Sequence, residues 1–201
     1  FSFEDNTAPK PEEILDKRGI FDDYNGKCNY QITTGVVGNF DTEGWGVIKY
    51  TNLTSTGEPG QDVLWVDTDF PLFRLGDVYL MYAEAVARGG EGGDISTAVR
   101  YVNELRDRAY GETPHNKIDA AWLTANNYQN ILDERGRELY WEGVRRIDLI
   151  RFGKYTSSSY TWPAKGGVIT GVGVNERYNI FPIPISDISV NGSLEQNEGY
   201  K

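Results

Sequence analysis

From Leu75 the apolar residues recur at intervals of three and four: Leu75, Val78, Tyr79, Tyr82, Ala83 and Val86. That spacing puts them on one side of a helix, and Gly89-Gly90 supplies the stop, because glycine adopts the left-handed conformation common just past a helix C-terminus. A second stripe, Ile95, Ala98, Val99, Val102 and Leu105, follows Asp94, whose short carboxylate suits an N-cap. Two helices joined by "GGEGGD" predict an antiparallel hairpin of the tetratricopeptide kind. There is one copy, and repeats of this kind bury a continuous core only in stacks of about three or more, so the hairpin needs partners elsewhere.

A longer face runs through Tyr128, Leu132, Gly136, Leu139, Gly143, Ile147 and Ile150, spaced four, four, three, four, four and three, and predicts one continuous helix. Glycine costs about 1 kcal/mol relative to alanine inside a helix. Close approach of another backbone is the expected reason for Gly136 and Gly143. Glu138, Glu142 and Arg146 are four apart and Arg145 and Asp148 three apart, which predicts a lattice of ion pairs and not a catalytic surface. Arg145 and Arg151 are expected to be buried, each against a carboxylate drawn from Glu138, Glu142 and Asp148. Ahead of Pro71 the texture differs: turn formers are broken by short β-prone pieces such as "GWGVIKY" and "DVLWV". The fold class expected is mainly α, with tetratricopeptide-like helical hairpins, long irregular loops and a few short strands. Residues 1–70 form a loop-rich segment, 71–155 a helical scaffold with one hairpin and a docked third helix, and 156–201 an irregular C-terminal segment, all parts of one domain.

Composition removes several functions. With 30 acidic and 20 basic side chains the net charge is −10, which opposes a polyanionic partner, so nucleic acid is excluded. Cys28 is the single cysteine, which leaves no intramolecular disulfide. No apolar run approaches the ~20 residues of a membrane span. The opening "FSFEDNTAPK" reads as a mature or truncated start, and we treat the chain as a fragment. His115, the single histidine, lies in the loop "GETPHNKID", so a two-histidine metal motif is ruled out and no nucleophile elbow accompanies it. "GVGVNE" has Glu176 where a dinucleotide fingerprint needs its third glycine. "NLT" at Asn52 and "NGS" at Asn191 are explained by turn chemistry. Glycoside hydrolysis needs two carboxyls at a set separation, and nothing in the sequence places such a pair. No catalytic residue, metal or cofactor is expected.

Four stretches in order, "LDKRGIF", "FPLFRLGDVYLMYAEAVARGG", "ERGRELYWEGVRRIDLIRFGKY" and "NIFPIPISDISVNGSLEQNEGY", resemble the SusD/RagB outer-membrane nutrient-binding lipoproteins of Bacteroidetes. The matching residues are Arg74 with Ala83-Glu84-Ala85, Glu134-Arg135 with Glu138-Leu139, Glu142-Gly143 with Arg145, Asp148-Leu149 with Arg151, Phe181 to Pro184, and Gln196 to Tyr200. The resemblance covers nearly the whole chain but only the C-terminal portion of a family member. It implies a lipid-anchored protein on the cell surface, at the outer membrane, that captures an oligosaccharide or other nutrient and passes it to a TonB-dependent, SusC-like transporter without catalysis. An interaction scaffold that docks a transporter is the alternative, and a glycoside hydrolase the remote third.

Sugar rings offer apolar C–H faces with polar rims, so aromatic side chains outside the helical stripes are the candidate ligand contacts. These are Trp45 in "EGWGV" and Tyr160 with Trp162 in "SSSYTWPAKGG". Rings that cover a core beneath long loops are the competing reading for all three. Trp122 and Trp141, in or beside helices, are assigned to the core.

Overall fold

A computed structural model of the chain describes residues 10–29, 42–62, 64–111, 116–162 and 168–201; His115 and Val63 lie outside them. The described residues form two compact units, one ending at Arg145 and one beginning at Arg146. The fold is mainly helical, as the sequence predicts.

In the first unit, β1 (Phe21–Asp22) pairs antiparallel with β2 (Gly46–Val47), Phe21 opposite Val47. The strand expected around "DVLWV" does not form at Leu64–Val66, whose side chains are exposed. The expected hairpin is present as α1 (Leu75–Ala87) and α2 (Ile95–Tyr110). Gly89 takes a φ of 86° just past α1, and the Asp94 carboxylate accepts the Thr97 N–H at 2.9 Å. Ala98, Val102, Leu105 and Ala109 are buried on α2. On α1 the buried side is Gly76, Leu80, Ala83 and Glu84, while Leu75 and Val78, placed on the core stripe by their spacing, are 62% and 47% exposed. The core face is therefore offset from the most regular apolar series, because α1 packs on both α2 and α3 (Ala120–Leu139).

The long helix expected from Tyr128 to Ile150 starts at a break inside α3 and is interrupted after Leu139. Within α3 the chain leaves helical geometry at Ala125, and Asn126, Asn127 and Tyr128 follow with φ of 52°, 53° and 64°. Asparagine tolerates this region because its short amide bonds locally. Asn130 bridges the break by donating to the Trp122 carbonyl at 3.0 Å. After Leu139 the chain turns, with Trp141 at φ 63° and Gly143 at 76°, before α4 (Arg145–Arg151) begins. Trp141 is exposed, contrary to its core assignment.

Gly143 also departs from expectation: a β-carbon there would meet nothing within 4 Å, so its glycine serves backbone conformation and not close approach. A β-carbon at this φ costs roughly 1–2 kcal/mol, less for asparagine. Gly143→Ala is accordingly expected to lower the urea midpoint and Gly143→Asn to lower it less; equal losses would argue against a conformational cause. At Gly136 a β-carbon would sit 3.0 Å from Arg145 Nη1, so the close neighbour is a guanidinium and not a second backbone.

The second unit contains the rest of α4, where Asp148 and Leu149 are buried, a 3-10 turn (Glu176–Asn179) and α5 (Ile185–Val190). Its closing residues act as a clip. Gln196 bonds both backbone groups of Ile183 at 2.8 Å, Asn197 donates to the Phe181 carbonyl and Tyr200 to that of Ile180. Arg146 donates to the Tyr178 carbonyl at 2.6 Å and lies 4.1 Å over the Phe181 ring.

Candidate functional site

Two groups of residues stand out as candidates for chemistry: a charged centre in the first unit and an aromatic cluster in the second.

The helical spacing of Glu134 and Glu138 puts both carboxylates on one side of α3, at 0% and 3% exposure. Arg18 bridges them, donating to Glu134 at 2.8 Å and Glu138 at 3.0 Å, while its other nitrogens grip buried Asp16 at 2.8 and 2.6 Å. Arg106 and Arg137 each reach Glu134 at 2.8 Å. Arg74 and Arg108 close on Glu138. Arg74 also forks onto Glu142 at 2.7 and 2.8 Å. Lys49 pairs with Glu142, donates to the Glu138 and Tyr140 carbonyls at 2.8 Å, and lies 4.5 Å over the Tyr140 ring.

Burial by itself would raise the carboxyl pKa values. In Glu138 the guanidinium groups of Arg108, Arg74 and Arg18 more than reverse it, holding the group at about 2. Asp16, Glu134 and Glu142 are likewise held below their usual range, by Arg18, by Arg18 with Arg137, and by Arg74 with Lys49. Burial pushes the Lys49 ammonium down despite Glu142. Chemically this centre offers anions already neutralised by cations. A glycosidase acid needs a carboxyl kept protonated near neutrality, the opposite condition.

The predicted ion-pair lattice thus exists with Glu138 and Glu142 in it, but its cations are Arg18, Lys49, Arg74, Arg106, Arg108 and Arg137 and not Arg145 and Arg146. Arg145 is half-buried and donates to the Leu132 carbonyl at 2.7 Å. Arg151 does meet Asp148, at 2.9 Å, but its side chain is 39% exposed. The buried arginine on this stretch is Arg135, paired with Asp77 at 2.8 Å. Sequence reasoning passed over Asp16, Arg18, Lys49, Arg106 and Arg108; the signal available was Asp16-Lys17-Arg18 inside the first matching stretch.

Of the aromatic candidates, the structure brings Tyr160 and Trp162 together, with ring centroids 5.2 Å apart at 66°. Tyr155, not singled out from sequence, stands edge-on to Trp162 at 6.0 Å. A backbone bond from Trp162 to Val172 at 3.1 Å fixes the segment, and Trp162 Nε1 is buried with no hydrogen-bond partner among the described residues. Arg146 lies 5.2 Å over Tyr155. Trp45 belongs to the first unit: its indole donates to the Cys28 carbonyl at 3.2 Å and its ring lies 6.2 Å from Phe21. All three candidates are half-buried.

Among the described residues no group of three His, Cys, Asp or Glu could hold a metal, and no helix is long and apolar enough to cross a membrane.

The model of the SusD family matches residues 20–200. The starch-binding protein SusD of Bacteroides thetaiotaomicron is 43% identical over 171 residues, covering 85% of this chain and 28% of SusD. A SusD-like protein, P25, of Formosa agariphila is 30% identical over 135 residues, covering 65% of this chain and 24% of its own. A crystal structure of a SusD superfamily protein from Parabacteroides distasonis superposes with a TM-score of 0.60 at 22% identity, over 96% of this chain and 42% of that one. The likeness to that structure is one of fold. The chain spans under a third of the length of these curated relatives.

Proposed function

The chain belongs to the SusD family, and from that premise we propose that it is part of a lipid-anchored, cell-surface protein of the outer membrane. This protein captures an oligosaccharide and hands it uncut to a TonB-dependent transporter of the SusC kind. The observation that carries the ligand class is the 43% identity to a protein named for binding starch. The Tyr155–Tyr160–Trp162 cluster supports it, since mutually inclined rings held by neighbouring backbone give a preformed apolar surface for sugar C–H faces. Trp45 is the second contact region we propose. Release without cleavage is supported by the charged centre, whose carboxyls are held as anions by arginine and lysine.

Titrating malto-oligosaccharides against the full-length protein tests the reading, with product analysis after long incubation. Trp162→Ala is expected to weaken binding by about tenfold, which is about 1.4 kcal/mol, within the worth of an aromatic contact with its buried area. Tyr160→Ala should weaken it less. Unchanged affinity in these two variants and in Trp45→Ala would remove the aromatics from the site, and shortened sugar would overturn binding without turnover.

A further inference from the structure

Among the described residues from Tyr50 to Phe70 there is no helix and one isolated bridge, Leu53 to Pro59. Side chains bonded to backbone hold the ends of this segment together. The Asn52 amide donates to the Asp62 carbonyl and accepts the Asp67 N–H, both at 3.0 Å. The Asp62 carboxylate accepts from Leu64 and Trp65 at 2.7 and 3.0 Å, and that of Asp67 accepts from Gln61 at 2.8 Å. Short Asn and Asp side chains that bond the backbone a few residues on give an irregular loop a fixed shape. Gly60 donates to the Asn52 carbonyl at 2.9 Å. A β-carbon there would lie 2.4 Å from the Asn52 side chain, so glycine is what lets the two arms of the loop close.

The two arms, at residues 50–52 and 66–70, line a cleft of about 310 Å³. Its apolar walls are Tyr50, Val66 and Phe70, with the two rings 43% and 60% exposed. Since Asn52 is committed to the loop, the polar side chains left on the lining are Thr51, Thr68 and Asp69. Burial and the nearby Glu142 carboxylate push the Tyr50 phenol up, so its hydroxyl stays a donor as well. We propose that this cleft is a further saccharide site, specific for uncharged pyranose rings and built from different residues than the Tyr155–Tyr160–Trp162 cluster and Trp45. Its ligand class rests on the sugar-binding reading above. Rings and aliphatic carbon suit the C–H faces of a pyranose, and hydroxyls with one carboxylate suit its rim. A lipid tail would leave those polar groups without partners, which costs affinity. An acidic sugar would bring its carboxylate against Asp69 in a chain whose net charge is already −10. A loop fixed in shape before binding loses little affinity to ordering.

Fluorotryptophan reports on each region separately. In a full-length family protein carrying this chain, fluorine NMR follows two indoles. Trp65 is 76% exposed and adjacent in sequence to Val66 of the cleft, and Trp162 belongs to the aromatic cluster. Trp65→Phe and Trp162→Phe assign the two signals. Maltotriose is expected to shift both. Tyr50→Ala and Phe70→Ala should each raise the dissociation constant read at Trp65 by about tenfold and leave that read at Trp162 within about twofold. Both replaced rings are exposed, so the variants are expected to fold, and an unmoved Trp162 signal before sugar is added checks this. A trimer of galacturonic acid should shift Trp65 only in Asp69→Asn, where the opposing charge is gone. A Trp65 signal that stays still while Trp162 moves would overturn this site and leave the binding reading intact. The reverse would support this site and remove the cluster, and neither signal moving would overturn both. A Trp65 titration unchanged in the two ring variants would overturn the cleft as the binding surface. An acidic trimer that shifts Trp65 in the parent would overturn uncharged sugars as its ligand.

Discussion

Glu138→Ala is expected to destabilise the protein by about 3–5 kcal/mol, the usual cost of removing one partner from a buried ion pair. The carboxylate receives Arg18, Arg74 and Arg108 in a site where its own side chain is 1% exposed. Deleting it leaves Arg18, 10% exposed, with less compensation and takes from Arg74 one of its two carboxylates. The matched control is Glu104→Ala, which breaks the pair with Arg100 where the side chains are 56% and 44% exposed. Water and salt screen that pair, so under about 1 kcal/mol should be lost. Urea unfolding of both variants decides the matter: similar losses would mean that the buried centre contributes no more than a surface pair.

Acid should dismantle the same centre, and the sign follows from the carboxyls. Their pKa values are lowered in the folded protein, so the stability they contribute is complete above the unfolded values and is lost as pH falls through the folded ones. For Glu138 the window runs from its ordinary 4.5 down to about 2. At about 1.4 kcal/mol per pKa unit that is on the order of 3 kcal/mol from this group. Asp16, Glu134 and Glu142 shift in the same direction and add to it. Thermal melts should therefore hold nearly level from neutral pH to about 5 and then fall steeply. The fall should be shallower in Glu138→Ala. A midpoint that stays level down to about pH 2.5 would contradict the buried, ionised state of these groups.

The hairpin was legible because its signals are local. Asp94 needs only Thr97 to cap α2, and glycines past Ala87 need no tertiary contact to end α1. The break after Leu139 was missed because the apolar count runs on at threes and fours through a turn that is not helical. Gly143, read as a packing residue, was in fact the punctuation, and its positive φ is the property that sequence spacing does not report. Density of charge was also legible, but its depth was not. Whether Arg145 or Arg135 faces inward depends on where α1 and Asp77 lie, and that is settled by packing between elements far apart in sequence. The aromatic candidates divided on the same ground: Tyr160 and Trp162 are neighbours through a short loop, whereas the environment of Trp45 depends on Phe21 and Cys28.

The grip of Asp16 on Arg18 bears on how the chain is made. Arg18 meets Glu134 and Glu138 across separations of 116 and 120 residues. At a synthesis rate of about 5–20 residues per second, the arginine is added to the chain roughly 6–23 s before Glu134. Asp16 is two residues away and can engage it bidentately from the outset. A nascent chain so equipped carries a self-contained acid–base pair through the interval in which its distant carboxylates are still untranslated, and the guanidinium is spared alternative anions. Asp16→Asn would then slow the acquisition of native structure during translation as well as lower the stability of the finished molecule, in which Asp16 is buried against Arg18.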